Sequence, residues 1–279
     1  MQQLRTPRRV KEIADSESET ASDFVRALAK GLSVIEAFDA RSPAMTLSDV
    51  AKRTGLSRGT ARRLLLTLVE LGYAGFDGKN FSLRPRVLNL GFAYLNSQTL
   101  WQLAQPYMVE LVEKVHESCS VSVLDGTDIV YVARVPTAAR IMSINLGIGT
   151  RLPAFATSMG RVLLAGLPNE EIRRLAALVS PLPRYTAKTI TDPDALLREI
   201  EQVRRQGWAL VDQELEQGLR SVAVPVVDCV GTPIAALNVG THASRWTIQK
   251  LTQEALPLLK QTAERISALM APENRAKKR

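Results

Sequence analysis

Cysteine and histidine are scarce in this chain of 279 residues, with two of each. Cys119 and Cys229 cannot make a disulfide framework, and no CxxC pair exists to suggest a zinc or redox site. His116 and His242 are far apart and lack ligand-like spacing, so no metal and no cofactor is expected. Aromatic residues make up only 5% of the chain. No apolar run approaches the length of a membrane span. The opening MQQLRTPRRVKE is basic and has no apolar core of a signal peptide, so a cytoplasmic protein is expected. No GxSxG elbow, Gly-rich phosphate loop or metal cluster accompanies Ser158, His116 or His242, the residues an enzyme would have to use.

What is present is positive charge in one place. The whole chain carries a net +8. Residues 41–86 hold nine Lys and Arg against three acids, a local balance of +6. A basic patch suits a polyanion, although a solvated basic face is the plainer reading of any such run.

The stretch TLSDVAKRTGLSRGTARR (46–63) gives that charge a shape. Thr46 and Asp49 form a capping-box pair before a short helix. Gly55 ends that helix, and Ser57 caps a second one. Ala61, Leu64, Leu65 and Leu68 then turn inward, which leaves Arg58, Gly59, Thr60, Arg62 and Arg63 toward solvent. Two helices joined by a tight turn, the second led by arginines, are the device that enters a DNA major groove. YAGFDGKNFSL (73–83) follows as a hairpin around Asp77-Gly78, a wing with Lys79 at its tip. Phe24, Leu28, Leu32, Ile35 and Phe38 form the stripe of a supporting first helix. The expected DNA contacts are Thr46, Ser57, Arg58, Gly59, Thr60, Arg62, Arg63 and Lys79, and the expected partner is double-stranded DNA.

Composition divides the rest. Residues 1–21 read as a disordered arm, whose Arg5, Arg8 and Arg9 are either DNA contacts or parts of a plain tail. Residues 22–84 form the winged domain. Residues 85–98 form an apolar linker helix begun by Pro85, a natural dimer contact. Residues 99–271 form a second domain, and 272–279 a basic tail. In the second domain a helix from Thr99 is expected to kink or restart at Pro106. Strands are expected at 119–125, 129–135 and 140–146, helices at 157–166, 169–179 and 192–206, then strands at 208–214, 219–228 and 233–240. A long amphipathic helix at 247–270 closes it. The fold class is therefore α+β, with one central antiparallel sheet.

Three stretches carry a resemblance: DFVRALAKGLSVIEAFD, LSDVAKRTGLSRGTARRLLLTLVELGY and SMGRVLLAGL. Together they make residues 22–271 similar to the IclR family of bacterial transcriptional regulators. ARVPTAARIMSINLGIGTRLPAFATSMGRVLLAG is most similar to the branch that controls aromatic-acid catabolism through the β-ketoadipate pathway, the Pca and Pob types. Within it the Pca type is favoured. The resemblance implies a GAF-like effector domain with a six-stranded sheet, and homodimers, often paired into tetramers. It implies effectors such as β-ketoadipate, protocatechuate or p-hydroxybenzoate. Activators and repressors share these domains, and an activator would also meet RNA polymerase.

The residues themselves point to a site at PAFATSMGR (153–161). A helix start offers unpaired N–H groups and a positive dipole end to an anion, here the amides of Ser158 and Met159. Capping alone would explain Ser158 and Thr157 equally well. The resemblance adds Val211, Ser221, Asn238 and Gly240 as pocket positions. Val211 and Ser221 depart from the pattern of two-carbon-acid sensors, and a one-residue slip would bring in Asp212 instead. Phe155 and Met159 suit a larger, partly apolar acid. Arg134 and Arg140 are candidate counterions for a second carboxylate, with a surface or interface role as the alternative. An enzyme is a competing class. Its nucleophile would be Ser158, with only His116 and His242 to serve as base. A DNA-binding protein without a ligand is the third class, against which stands the size of the second domain.

Overall fold

The computed structural model describes residues 24–97, 100–137 and 146–269. The chain divides into two compact units at Tyr94/Leu95, each described on its own below.

In the first unit, helices α1 (Arg26–Glu36), α2 (Leu47–Thr54) and α3 (Arg58–Glu70) surround a small core, and a three-stranded sheet closes it. The sheet has the order β1-β3-β2, from β1 (Ala44–Thr46), β2 (Ala74–Phe76) and β3 (Asn80–Leu83). The β2–β3 hairpin is the wing. The Asp77 carboxylate accepts the amides of Lys79 and Asn80, and Gly78 takes a φ of 98° that other residues resist. β1 was not anticipated. It is three residues long and gains its place only by pairing with β3, Met45 opposite Phe81.

The α1 stripe is corrected by the structure. Val34 and Ala37 are buried and Ile35 and Phe38 partly so, whereas Phe24, Leu28 and Leu32 are exposed. The buried face of α1 is rotated from the one its leucines suggested. After Pro85–Val87, a 3-10 turn with proline in its first position, α4 (Leu88–Ser97) runs across the division between the units.

The second unit is a six-stranded antiparallel sheet with helices on both faces. Its order is β6-β5-β4-β9-β8-β7. The strands are β4 (Ser118–Asp125), β5 (Asp128–Val135), β6 (Arg151–Pro153), β7 (Ala209–Asp212), β8 (Leu219–Val227) and β9 (Pro233–His242). The edge strand beside β5 is thus Arg151–Pro153. The expected strand at 140–146, like Arg140 itself, falls largely outside the described residues. α5 (Leu100–Val115) continues through Pro106 instead of restarting there.

One face of the sheet carries Cys119, Val121, Val222, Val224, Leu237 and Val239, and it packs against α5 and the C-terminal helix α9. α9 comprises Ile248–Lys250, a π-helical turn Leu251–Ala255, and Leu256–Ala268. The other face meets α6 (Ser158–Ala165), with α7 (Asn169–Leu178) and α8 (Pro193–Gln206) outside it. Alternation along β4 explains the split. Ser118, Ser120 and Ser122 point one way, and Cys119 and Val121 the other.

A β-bulge sits in the β4–β5 pairing. Ser120 faces Arg134 and Val121 faces Ala133, but Ser122 faces Tyr131, so Val132 is the extra residue. The bulge puts Arg134 and Tyr131, three positions apart, on the same side as the β4 serines.

Candidate functional site

The structure offers two sites of opposite character. The first is the exposed surface of α2, α3 and the wing. Thr46 caps α2 as the sequence suggests: its hydroxyl donates to the Asp49 carboxylate at 2.7 Å and accepts the Asp49 amide. Those hydrogen bonds hold Asp49 ionised below the usual carboxylate range. Gly55 terminates α2 at φ 73°, and the Ser57 side chain accepts the Thr60 amide to start α3. Ala61, Leu65 and Leu68 fix α3 to the core. Arg58, Arg62 and Arg63 are then exposed, without an acidic partner among the described residues. Gly59 stands between them with open space around its Cα, so a phosphate backbone can come close. Lys79 is exposed at the wing tip. Among the expected DNA contacts, Thr46, Ser57 and Thr60 are thus engaged in helix caps, and the three arginines and Lys79 supply free charge.

The second site lies inside the second unit, between the sheet and the start of α6. Why α6 begins there is a matter of close packing. A Cβ on Gly160 would lie 2.0 Å from the carbonyl oxygen of Ala154, so only glycine lets the helix press onto the Ala154–Ala156 turn. Thr157 caps the helix by accepting the Gly160 amide. The Arg161 amide bonds the Thr157 carbonyl. The amides of Ser158 and Met159 are the first-turn donors that a helix start leaves without an intrahelical acceptor.

Facing α6, the sheet presents a polar row. Arg134 on β5, Ser120 on β4 and Asn238 on β9 are neighbours in register. Arg134 donates to the Ser120 hydroxyl at 2.9 Å, and no carboxylate partner for it exists among the described residues. Burial pulls its pKa down, the expected penalty for a cation out of water. The Asn238 side-chain oxygen is buried and has no partner among the described residues, which is costly unless a ligand or water donates to it. One row along, Ser118, Gly240, Ser221 and Val211 align across β4, β9, β8 and β7. The Ser221 hydroxyl meets that of Ser158 at 2.8 Å and ties the sheet to α6. In the row on the other side, the Ser122 hydroxyl donates to the Met159 sulfur at 3.2 Å. Opposite Ser122 is Tyr131, whose pKa burial raises to about 12, so its phenol stays protonated.

The structure brings Arg134, Ser158, Met159, Val211, Ser221, Asn238 and Gly240 to this face. It separates two expected members. Asp212 projects to the opposite face, where Arg220 and Lys188 take its carboxylate, so no slip of register brings it in. Phe155 lines a cleft with Pro153, Tyr185, Thr189 and Ile190, whose walls do not include Ser158, Ser221 or Asn238. Ser120, Ser122 and Tyr131 were missed. The alternation S-x-S-x-S in β4 was the available signal, since three serines on one face of a strand are rarely placed against apolar packing. As a nucleophile Ser158 would need a base, and its hydroxyl partner is Ser221, while His242 is bonded to Ser244. Among the described residues no group of His, Cys, Asp and Glu could hold a metal ion, and no helix is long and apolar enough to cross a membrane.

Comparison with known proteins assigns both units. The model of the IclR helix-turn-helix domain matches residues 27–78, and that of the bacterial transcriptional regulator IclR C-terminal domain matches residues 92–268. The chain is 47% identical over 237 residues to a Pca regulon regulatory protein of Pseudomonas putida, covering 85% of this chain and 81% of that one. A solved transcriptional regulator from Rhodococcus sp. RHA1 matches with a TM-score of 0.78 at 51% identity, over 90% of this chain and 100% of its own. An IclR homologue from Microbacterium hydrocarbonoxydans, solved in complex with 4-hydroxybenzoate, matches with a TM-score of 0.76 at 28% identity, over 90% and 99%. With both of its units matched in order by the family's own two domains, the chain belongs to the IclR family of bacterial transcriptional regulators.

Proposed function

We propose that this regulator controls genes of aromatic-acid catabolism, of the Pca type, and that its effector is a dicarboxylic keto acid such as β-ketoadipate. The observation that carries the reading is Arg134, a partly buried guanidinium bonded to Ser120 with no acid to neutralise it among the described residues. It gives the site one anion seat on the sheet, and the first turn of α6 gives a second. Two such seats suit a ligand with a carboxylate at each end. The similarity to a Pca regulon protein supports the same assignment.

A monocarboxylic aromatic acid is the second reading. The apolar and phenolic walls of Met159 and Tyr131 favour it, as does the 4-hydroxybenzoate complex of a relative. DNA contact is assigned to Arg58, Arg62, Arg63 and Lys79. Exposed Phe24 just before α1, Leu28 and Leu32 on α1, and Leu88, Leu90 and Phe92 on α4 are more apolar surface than a small domain leaves open, which supports a homodimer.

Thermal-shift titration with β-ketoadipate, protocatechuate, p-hydroxybenzoate and glyoxylate tests the reading, because a ligand that binds only the folded state raises the melting temperature. Saturable stabilisation by β-ketoadipate is expected. Stabilisation by an aromatic acid alone would move the assignment to the second reading, and a flat response to all four would remove both.

A further inference from the structure

Arg161 is among the largest fully buried side chains of the protein, with 1% of its surface exposed. It lies on α6 one turn after Ser158, and its partners lie outside the polar row of the sheet. Its guanidinium is hydrogen-bonded by two groups, with the Glu199 carboxylate a further 3.9 Å from one terminal nitrogen. Nε donates to the Phe155 carbonyl at 3.2 Å, and the two terminal nitrogens donate to the two oxygens of Glu214 at 2.7 and 2.5 Å. Glu214 stands two residues beyond β7. Its carboxylate also accepts the Ile190 amide, and its carbonyl accepts the Thr189 hydroxyl at 2.6 Å.

A buried ion pair is a poor source of stability. Desolvating both charges costs about as much as their attraction returns, and apolar side chains of similar size often do as well. A two-pronged arginine–carboxylate pair does fix geometry, because both hydrogen bonds are satisfied at only one orientation. Here the geometry fixed is that of the first turn of α6. The pair anchors it to the end of β7, and the Phe155 bond anchors it to the turn on which Gly160 rests.

We infer that Arg161 and Glu214 are positioning residues for effector binding: they hold the amides of Ser158 and Met159 at the angle an acid requires without touching the acid. The inference rests on the effector seat proposed above.

The test uses the full chain in three forms. Arg161→Met/Glu214→Met removes both charges at similar volume. Arg161→Lys keeps the charge but loses the fork and the Phe155 bond. The wild type is the reference. Two readouts are taken: amide exchange of residues 154–160 without ligand, and the affinity for β-ketoadipate. In both variants exchange in 154–160 is expected to quicken while β4, β8 and β9 keep their protection. Affinity is expected to fall on the order of tenfold or more, the scale for residues that orient ligating groups. Unchanged exchange, or unchanged affinity, in a folded variant overturns the inference. Should the double variant fail to fold, Arg161→Lys carries the test. Should the wild type bind no acid, the proposed effector falls, and the exchange measurement alone decides the positioning role.

Discussion

The two units treat positive charge in opposite ways. In the first, Arg58, Arg62, Arg63 and Lys79 stand in water on α3 and the wing. In the second, Arg134 is partly and Arg161 fully withdrawn from water, each with its hydrogen bonds chosen by the fold. For Arg134 the difference follows from the proposed partner, while Arg161 answers to Glu214 inside the fold. A DNA backbone is a long row of weakly distinguished charges, met by many exposed cations whose individual geometry matters little. A small acid brings one or two charges, so each must be met in a dry, fixed setting where a single interaction is strong.

The largest expected effect is on salt dependence. Between about 50 and about 200 mM salt, DNA affinity should fall by roughly a thousandfold if the surface meets six or more phosphates. Effector affinity should barely change, because buried charges are weakly screened. Mobility shift and calorimetry at the same salts measure both. Parallel slopes would erase the contrast between the units.

Next is Arg134→Met, which removes the sheet-side cation. Truncating one partner of a buried charged pair costs about 2 kcal/mol or more, so effector affinity should drop roughly thirtyfold, with DNA affinity in the absence of effector unchanged. Loss of DNA binding in this variant would place Arg134 in a structural role.

Arg62→Ala should lower operator affinity by ~1–3 kcal/mol if the side chain reads a base. If it holds a phosphate, the loss should be similar on all sequences and the salt slope shallower by about one. Wild-type binding at every salt would remove Arg62 from the interface.

The smallest effect concerns acid. The hydrogen bonds from Thr46 lower the folded-state pKa of Asp49. A depressed carboxylate contributes stability above its unfolded pKa and loses it as pH falls through the folded value. Melting of the first unit should therefore weaken below the ordinary aspartate range, near pH 4, and the acid-sensitive part should shrink in Thr46→Ala. Identical acid profiles would show that the capping box contributes nothing.

What could be read from the residues alone follows the range of the interactions involved. The capping box, Gly55, Ser57 and the Asp77-Gly78 turn are local, and each appears as expected. β1 and the edge strand Arg151–Pro153 are three residues each and exist through partners elsewhere in the chain. α1 was misjudged because Leu28 and Leu32 carry the hydrophobic signal while Val34 and Ala37 carry the packing. In the second unit the start of α6 was legible from PAFATSMGR. The row Arg134–Ser120–Asn238 was legible only residue by residue, since strand pairing assembles it. Arg161 and Glu214 are 53 residues apart, and nothing in either neighbourhood announces the other. Asp212 was admitted as an alternative because the parity of a four-residue strand cannot be fixed from its sequence.

The bulge at Val132 makes this site a matter of counting as well as chemistry. One supernumerary residue lets β5 send both Tyr131 and Arg134 toward α6. Deleting a residue there would leave both side chains in the chain and reverse one of them to the apolar side. A substitution in β5 changes one side chain, whereas a shift by a single residue would exchange the faces of every residue on one side of it. Variation in length should therefore be far rarer in this strand than variation in kind.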